Sequence, residues 1–156
     1  MLTDPIDSKI LTMLQEDSRM TIKEIASHLS ISSTPVYERI KKMERNGIIG
    51  RYGAVVDPVK LGLKLTAFIH VSLNAHSKEM VETFMSSVLS FDEVMECHHV
   101  SGQYDFLVKV LTYDMESYHS FILNKLSVVA NLGKIESQFA LSSRISTVIN
   151  RDLDSV

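Results

Sequence analysis

The chain has 156 residues, 45% hydrophobic and 22% charged, with 16 Lys/Arg against 19 Asp/Glu and a formal net charge of −3. That length holds one domain or two small ones, and no apolar run approaches the roughly 18 residues of a membrane-spanning helix. A lone cysteine, Cys97, rules out an internal disulfide, and the opening Met1-Leu2-Thr3-Asp4 lacks the basic-then-apolar order of a secretory signal, so a reducing cytoplasm is expected.

Ile6, Ile10, Leu11 and Leu14 recur at three- and four-residue steps and predict a first helix, capped by Asp4 or Asp7 and ending near Asp17-Ser18. Thr21, with Glu24 three residues on, forms a capping box for a second helix whose Ile22, Ile25, Ala26 and Leu29 face inward. After Ser30-Ile31-Ser32 a third helix starts at Ser32 or Ser33, tolerates Pro35 in its first turn, and buries Val36, Ile40 and Met43. Asn46-Gly47 stops it. The stretch from Ile48 to Asp57 is rich in β-formers and glycine and predicts a strand or small hairpin, a wing beside the helices. Residues 58–64 connect to a second unit, giving domains at 1–60 and 61–156.

Beyond Leu65 the period changes. Leu65 to Ala75 alternates as a strand and Ser77 to Leu89 has helical spacing; Glu93 to Ser101 and Tyr104 to Leu111 predict two strands joined through a Gly102-Gln103 turn. Met115 to Val129 is periodic again, and Ile135 to Val148 is a final extended segment. The fold class is therefore α+β, an N-terminal winged helix-turn-helix followed by a C-terminal βαββαβ (ferredoxin-like) sandwich with two helices on one sheet face. The other face is left uncovered, and strand residues such as Phe68, Val71 and Leu73 supply apolar groups from both faces for self-association to bury, unless the N-terminal helices or the wing cover that face.

Net charge hides a division. Residues 1–60 carry nine Lys/Arg against eight Asp/Glu, whereas residues 61–156 carry seven against eleven. Within 37–51, Arg39, Lys41, Lys42, Arg45 and Arg51 face only Glu38 and Glu44, a local basic footprint for phosphates. With Val36, Ile40 and Met43 buried, the opposite side of the third helix offers Ser33, Thr34, Tyr37, Glu38, Lys41 and Lys42 to DNA, with Pro35 in the first turn and Arg39 and Arg45 flanking; the early positions, Thr34 and Tyr37 among them, suit base edges, and Lys41, Lys42 and Arg45 mostly meet phosphates. A solvated basic helix has the same periodicity.

Further sequence signals bear on that choice. The runs Asp7-Ser8-Lys9-Ile10-Leu11, Leu14-Gln15-Glu16-Asp17-Ser18-Arg19 and Ile31 to Glu44, closed by Gly47-Ile48-Ile49, are followed much later by Glu96-Cys97-His98-His99-Val100-Ser101-Gly102-Gln103-Tyr104-Asp105-Phe106-Leu107-Val108-Lys109. Together, over essentially the full chain, they resemble the leucine-responsive/asparagine-regulator (Lrp/AsnC) family. The resemblance implies dimers built through the sheet, often assembled as octamers, and a small amino acid bound between dimers. It also implies an effector site at Gly102, Gln103, Tyr104 and Asp105, completed by a neighbouring subunit near Ser137 and Gln138, where many relatives are threonine-rich. Amides at Gly102 and Gln103 suit a carboxylate and Asp105 an ammonium group; alternatively Gly102 only permits the turn and Asp105 caps it.

No metal or other cofactor is expected. His98 and His99 are neighbours on a strand and point to opposite faces, while His28, His70, His76 and His119 show no ligand spacing. No phosphate-cradling loop, nucleophile elbow or carboxylate pair marks an enzyme. The expected function is a sequence-specific regulator that binds double-stranded DNA and answers to a small amino acid. The alternative is a ligand-independent architectural protein of the nucleoid type.

Overall fold

The computed structural model describes residues 4–145, Val148 and Ile149. They fall into two compact units, one of residues 4–55 with Arg144, Ile145, Val148 and Ile149, the other of residues 56–143.

In the first unit, helix α1 (Pro5–Glu16) is capped by Asp4, whose side chain accepts from the Ile6 N–H at 2.8 Å. Proline at the first helical position costs nothing, because its missing N–H would have had no intrahelical partner. Helix α2 (Ile22–Leu29) starts with the expected reciprocal capping box, the Glu24 N–H donating to Thr21 Oγ1 and the Thr21 N–H to Glu24 Oε2. It ends at Ser30, held at φ +55°, and the Ile31 N–H reaches back to the Ala26 carbonyl at 3.1 Å. That tight reversal launches helix α3 (Ser33–Arg45), which Gly47 terminates at φ +69° while the Ile48 N–H bonds the Met43 carbonyl. Ile10, Ile25, Ala26, Val36, Ile40 and Met43 are buried together where the three helices meet.

No strand forms among residues 48–57, which corrects the expected wing hairpin. The segment carries β-forming residues but pairs with no strand among the described residues, and Val55 and Val56 stay exposed. β-propensity without a paired ladder does not make a sheet.

The second unit is an antiparallel four-stranded sheet in the order β2-β3-β1-β4, built from β1 (Leu65–Leu73), β2 (Val94–His99), β3 (Phe106–Thr112) and β4 (Leu132–Phe139). Helices α4 (Lys78–Leu89) and α5 (Met115–Asn124) cover one face, and a short 3-10 turn at Leu126–Val128 follows α5. The buried face carries Ala67, Ile69, Val71 and Leu73 of β1 and Phe106, Val108 and Val110 of β3, packed on Phe84, Val88, Tyr118 and Phe121 of the helices. Thr66, Phe68 and His70 lie on the other face beside Leu107, Lys109 and Leu111, all only partly buried.

Two boundaries differ from the periodicity. The last strand begins at Leu132 and ends at Phe139, earlier at both ends than the expected 135–148. The expected helix of 115–129 breaks at Asn124, and Lys125 instead holds Glu93 at 2.7 and 2.8 Å.

Candidate DNA interface and effector loop

The exposed side of α3 carries Ser33, Thr34, Pro35, Tyr37, Glu38, Lys42 and Arg45, and Arg51 is exposed beyond it. Its N-terminal half is therefore polar and accessible, while Val36, Ile40 and Met43 are fixed against the other helices.

Two cations have partners within the unit. Arg39 Nη1 lies 2.7 Å from Asp4 Oδ2 and 2.6 Å from Asp7 Oδ1, so it clamps α3 to the start of α1 rather than flanking the exposed surface. Asp7 is buried in this clamp, and its hydrogen bond raises the guanidinium's affinity for its proton. The Ile6 N–H and then Arg39 hold the Asp4 carboxyl below its usual range. Lys41 Nζ donates to Glu44 Oε2 at 2.6 Å and lies 5.9 Å from the Tyr37 ring centroid, while Tyr52 Oη donates to Glu44 Oε1 at 3.0 Å. Glu44 thereby gathers Lys41 and Tyr52 on one side of the helix; its carboxyl is lowered by Lys41 first and by Tyr52 second.

In the second unit β2 and β3 are joined by the Val100–Asp105 loop, wider than a Gly102-Gln103 turn, and closed by the Val100 N–H on the Asp105 carbonyl at 2.9 Å. Gly102 has φ +139°, with open space where a Cβ would stand, so backbone conformation rather than crowding selects glycine. Among the described residues, no acceptor faces the amides of Ser101, Gly102, Gln103 or Tyr104. They remain available to an anion.

Asp105 is committed inward. Its N–H donates to the Val71 carbonyl at 2.9 Å, and its Oδ2 receives the Leu73 N–H at 2.8 Å and His76 Nε2 at 3.0 Å. The Leu73 bond, followed by His76, lowers its carboxyl below the ordinary value. Tyr104 joins the loop to β4, donating to Glu136 Oε2 at 2.5 Å and receiving Lys134 Nζ at 2.9 Å. Its ring lies 5.2 Å from that of His70.

Ser137 and Gln138 cannot act on one ligand from the same face. Ser137 stands opposite Ile69 on the helix side and receives the Tyr118 hydroxyl, whereas Gln138 stands opposite Phe68 on the other side. Sequence reading missed His76, Lys134 and Glu136. His76 is next to an N-cap and distant in sequence from Asp105, so nothing local marks it; the alternation of β4 does place Lys134 and Glu136 on Tyr104's side.

Comparison with known proteins decides what these two units are. Residues 3–49 match a winged helix-turn-helix DNA-binding model and residues 66–149 the Lrp/AsnC ligand binding domain. The chain is 34% identical over 140 residues to the DNA-binding transcriptional activator DecR of Escherichia coli (strain K12), covering 90% of this chain and 92% of that protein. The chain belongs to the Lrp/AsnC family. It is a transcriptional regulator that joins a helix-turn-helix to this family's ligand-binding domain. An AsnC family transcriptional regulator from Agrobacterium tumefaciens superposes with a TM-score of 0.90 at 33% identity, over 99% of this chain and 100% of the other. A transcriptional regulator from Neisseria meningitidis, solved as a complex with L-Met, gives 0.87 at 31% identity, over 95% and 97%.

Among the described residues, no group of three or more His, Cys, Asp or Glu side chains is placed to hold a metal ion. No described helix is long and apolar enough to cross a membrane.

Proposed function

We propose that this Lrp/AsnC regulator reads a specific operator with the N-terminal half of α3 and adjusts its occupancy of DNA when a small amino acid binds at the Val100–Asp105 loop. The observation that carries the reading is the division of α3: Ser33, Thr34 and Tyr37 are exposed on its leading turns while Val36 and Ile40 are fixed in the core. A helix held this way presents its first turns to the floor of a major groove. Thr34 offers a hydroxyl and a methyl to base edges, and Tyr37 a hydroxyl. Lys41, Lys42, Arg45 and Arg51 neutralise phosphates, Lys41 by exchanging Glu44 for a phosphate oxygen.

The effector reading draws on the free amides of the loop and on the L-Met complex of the Neisseria relative. The amides receive the carboxylate, and a neighbouring subunit completes the site, with Gln138 rather than Ser137 on an accessible face. Dimers form through the open sheet face and pair two recognition helices on successive grooves. An effector that prefers one assembly changes DNA affinity only by that preference, commonly about 1 to 3 kcal/mol. The protein acts in the cytoplasm.

Selection of bound sequences from a random DNA pool, with and without pooled amino acids, tests reading and switching together. The expected result is a two-fold symmetric motif whose enrichment changes with the pool. Thr34→Ala with Tyr37→Ala should then erase the motif preference at fixed salt while leaving residual non-specific binding. Retention of the full preference in that variant would remove α3 from base reading.

A further inference from the structure

We propose that His76 is a positioning residue of the effector loop, holding the Val100–Asp105 turn through Asp105, so that the order of the loop follows the charge on one imidazole. The connection to amino-acid binding rests on the function proposed above; the anchoring itself does not.

His76 lies outside β3 and the loop, in the link between β1 and α4, and that link is fixed on both sides. Before it, the Ala75 N–H donates to Asn131 Oδ1 at 2.9 Å and the Ala75 carbonyl receives Asn131 Nδ2 at 2.7 Å. After it, Ser77 caps α4, its side chain receiving the Met80 N–H. From between these two contacts the imidazole reaches a carboxylate remote in sequence, with Nε2 at 3.0 Å from Asp105 Oδ2.

Asp105 transmits the contact. It closes the loop with its carbonyl, ties to Val71 with its N–H, and receives Leu73 N–H and His76 Nε2 on a single oxygen. One neutral imidazole N–H is a modest partner for a carboxylate, and an imidazolium is a stronger one. His99, on β2, is the other charge-bearing neighbour felt by Asp105, although its ring stacks on Phe106 at 5.0 Å. Side-chain exposure is 60% for His76 and 22% for Asp105, so water reaches the imidazole while its partner is partly shielded.

The sign follows directly. Protonation of His76 on lowering the pH strengthens its hold on Asp105 and orders the turn that bears the free amides; deprotonation on raising it loosens the turn. Ordering before binding removes a cost from capture of a small carboxylate, so the ligand also binds more tightly at the lower pH.

Hydrogen exchange on the full chain, corrected for intrinsic rates and followed in peptides covering residues 71–76 and 100–106, tests the anchor without ligand. Protection should be about three- to fivefold greater near pH 6 than near pH 8, the scale of a partly exposed ion pair. His76→Gln, which keeps an N–H donor but cannot titrate, should be flat across that range, and His99→Gln should behave as the parent. A pH-independent parent, or a His76→Gln profile that follows the parent, overturns the proposal. Calorimetric titration with L-methionine and the other standard amino acids forms the second arm. If the whole panel is silent while exchange behaves as expected, the effector reading fails and the anchor stands. If an amino acid binds with affinity unaffected by pH in the parent, the proposed link from loop order to affinity is overturned.

Discussion

Arg39 shows how far a residue's neighbours in sequence differ from its neighbours in space. Read along α3 it belongs with Lys41, Lys42 and Arg45 as a cation for phosphates; folded, it closes on Asp4 and Asp7 at 2.7 and 2.6 Å. Neither aspartate can be assigned to it from periodicity, because both read as candidate caps. Arg39→Met should therefore cost stability more than DNA affinity, about 1 to 3 kcal/mol for leaving buried Asp7 without its cation. Thermal unfolding and operator binding measured on the same folded sample separate the two effects, and a large affinity loss with unchanged stability would return Arg39 to the interface. The share of the clamp that runs through Asp4 should fade in acid. Asp4 has a lowered carboxyl value, so its share of stability is present above the ordinary range near 4 and lost as the pH falls through the lower folded value.

Elements were legible where their period or their caps were local. The buried stripe of α3 and the reciprocal bonds of Thr21 and Glu24 depend on residues within a few positions of each other, and the structure has them as the sequence implies. The wing and the ends of β4 depend on what pairs with them. Residues 48–57 contain strand-forming residues that pair with no strand among the described residues, whereas Gly133 has low strand propensity yet lies inside a strand because β1 receives it. Its missing side chain is part of that pairing: a Cβ there would stand 2.8 Å from the Ser72 carbonyl oxygen and 3.3 Å from Asn74 Oδ1, beside the shift in register between Val71 and Leu73. Backbone cannot yield as a flexible side-chain end does. Gly133→Ala should lose about 1 to 3 kcal/mol in urea unfolding, while Gly53→Ala, with open space around it, should be close to neutral. Equal stability of the two variants would show that β1 and β4 separate without penalty.

At the scale of the molecule, the two units answer different demands, and each has its own buried core. The basic side of α3 is thin, since Lys41 shares its charge with Glu44 and Arg39 is turned inward. On the proposed reading, one such arm holds DNA weakly and useful affinity comes from two arms on one DNA, where linkage multiplies binding by about 10² to 10⁴ without a new contact. The sheet face away from α4 and α5 is where the proposed pairing is most open to test. Phe68 lies there between Lys109 of β3 and Gln138 of β4, a large ring on a face that no helix of its own unit covers. Phe68→Glu places a charge in the proposed interface but touches neither the buried side of the sheet nor α3. Light scattering should record a lower molar mass, circular dichroism should be unchanged, and operator affinity should fall at least tenfold. The non-specific remainder should keep its dependence on salt, because the phosphate contacts of each arm are intact. An unchanged mass would place the subunit interface elsewhere; a reduced mass with undiminished operator affinity would mean that a single recognition helix suffices.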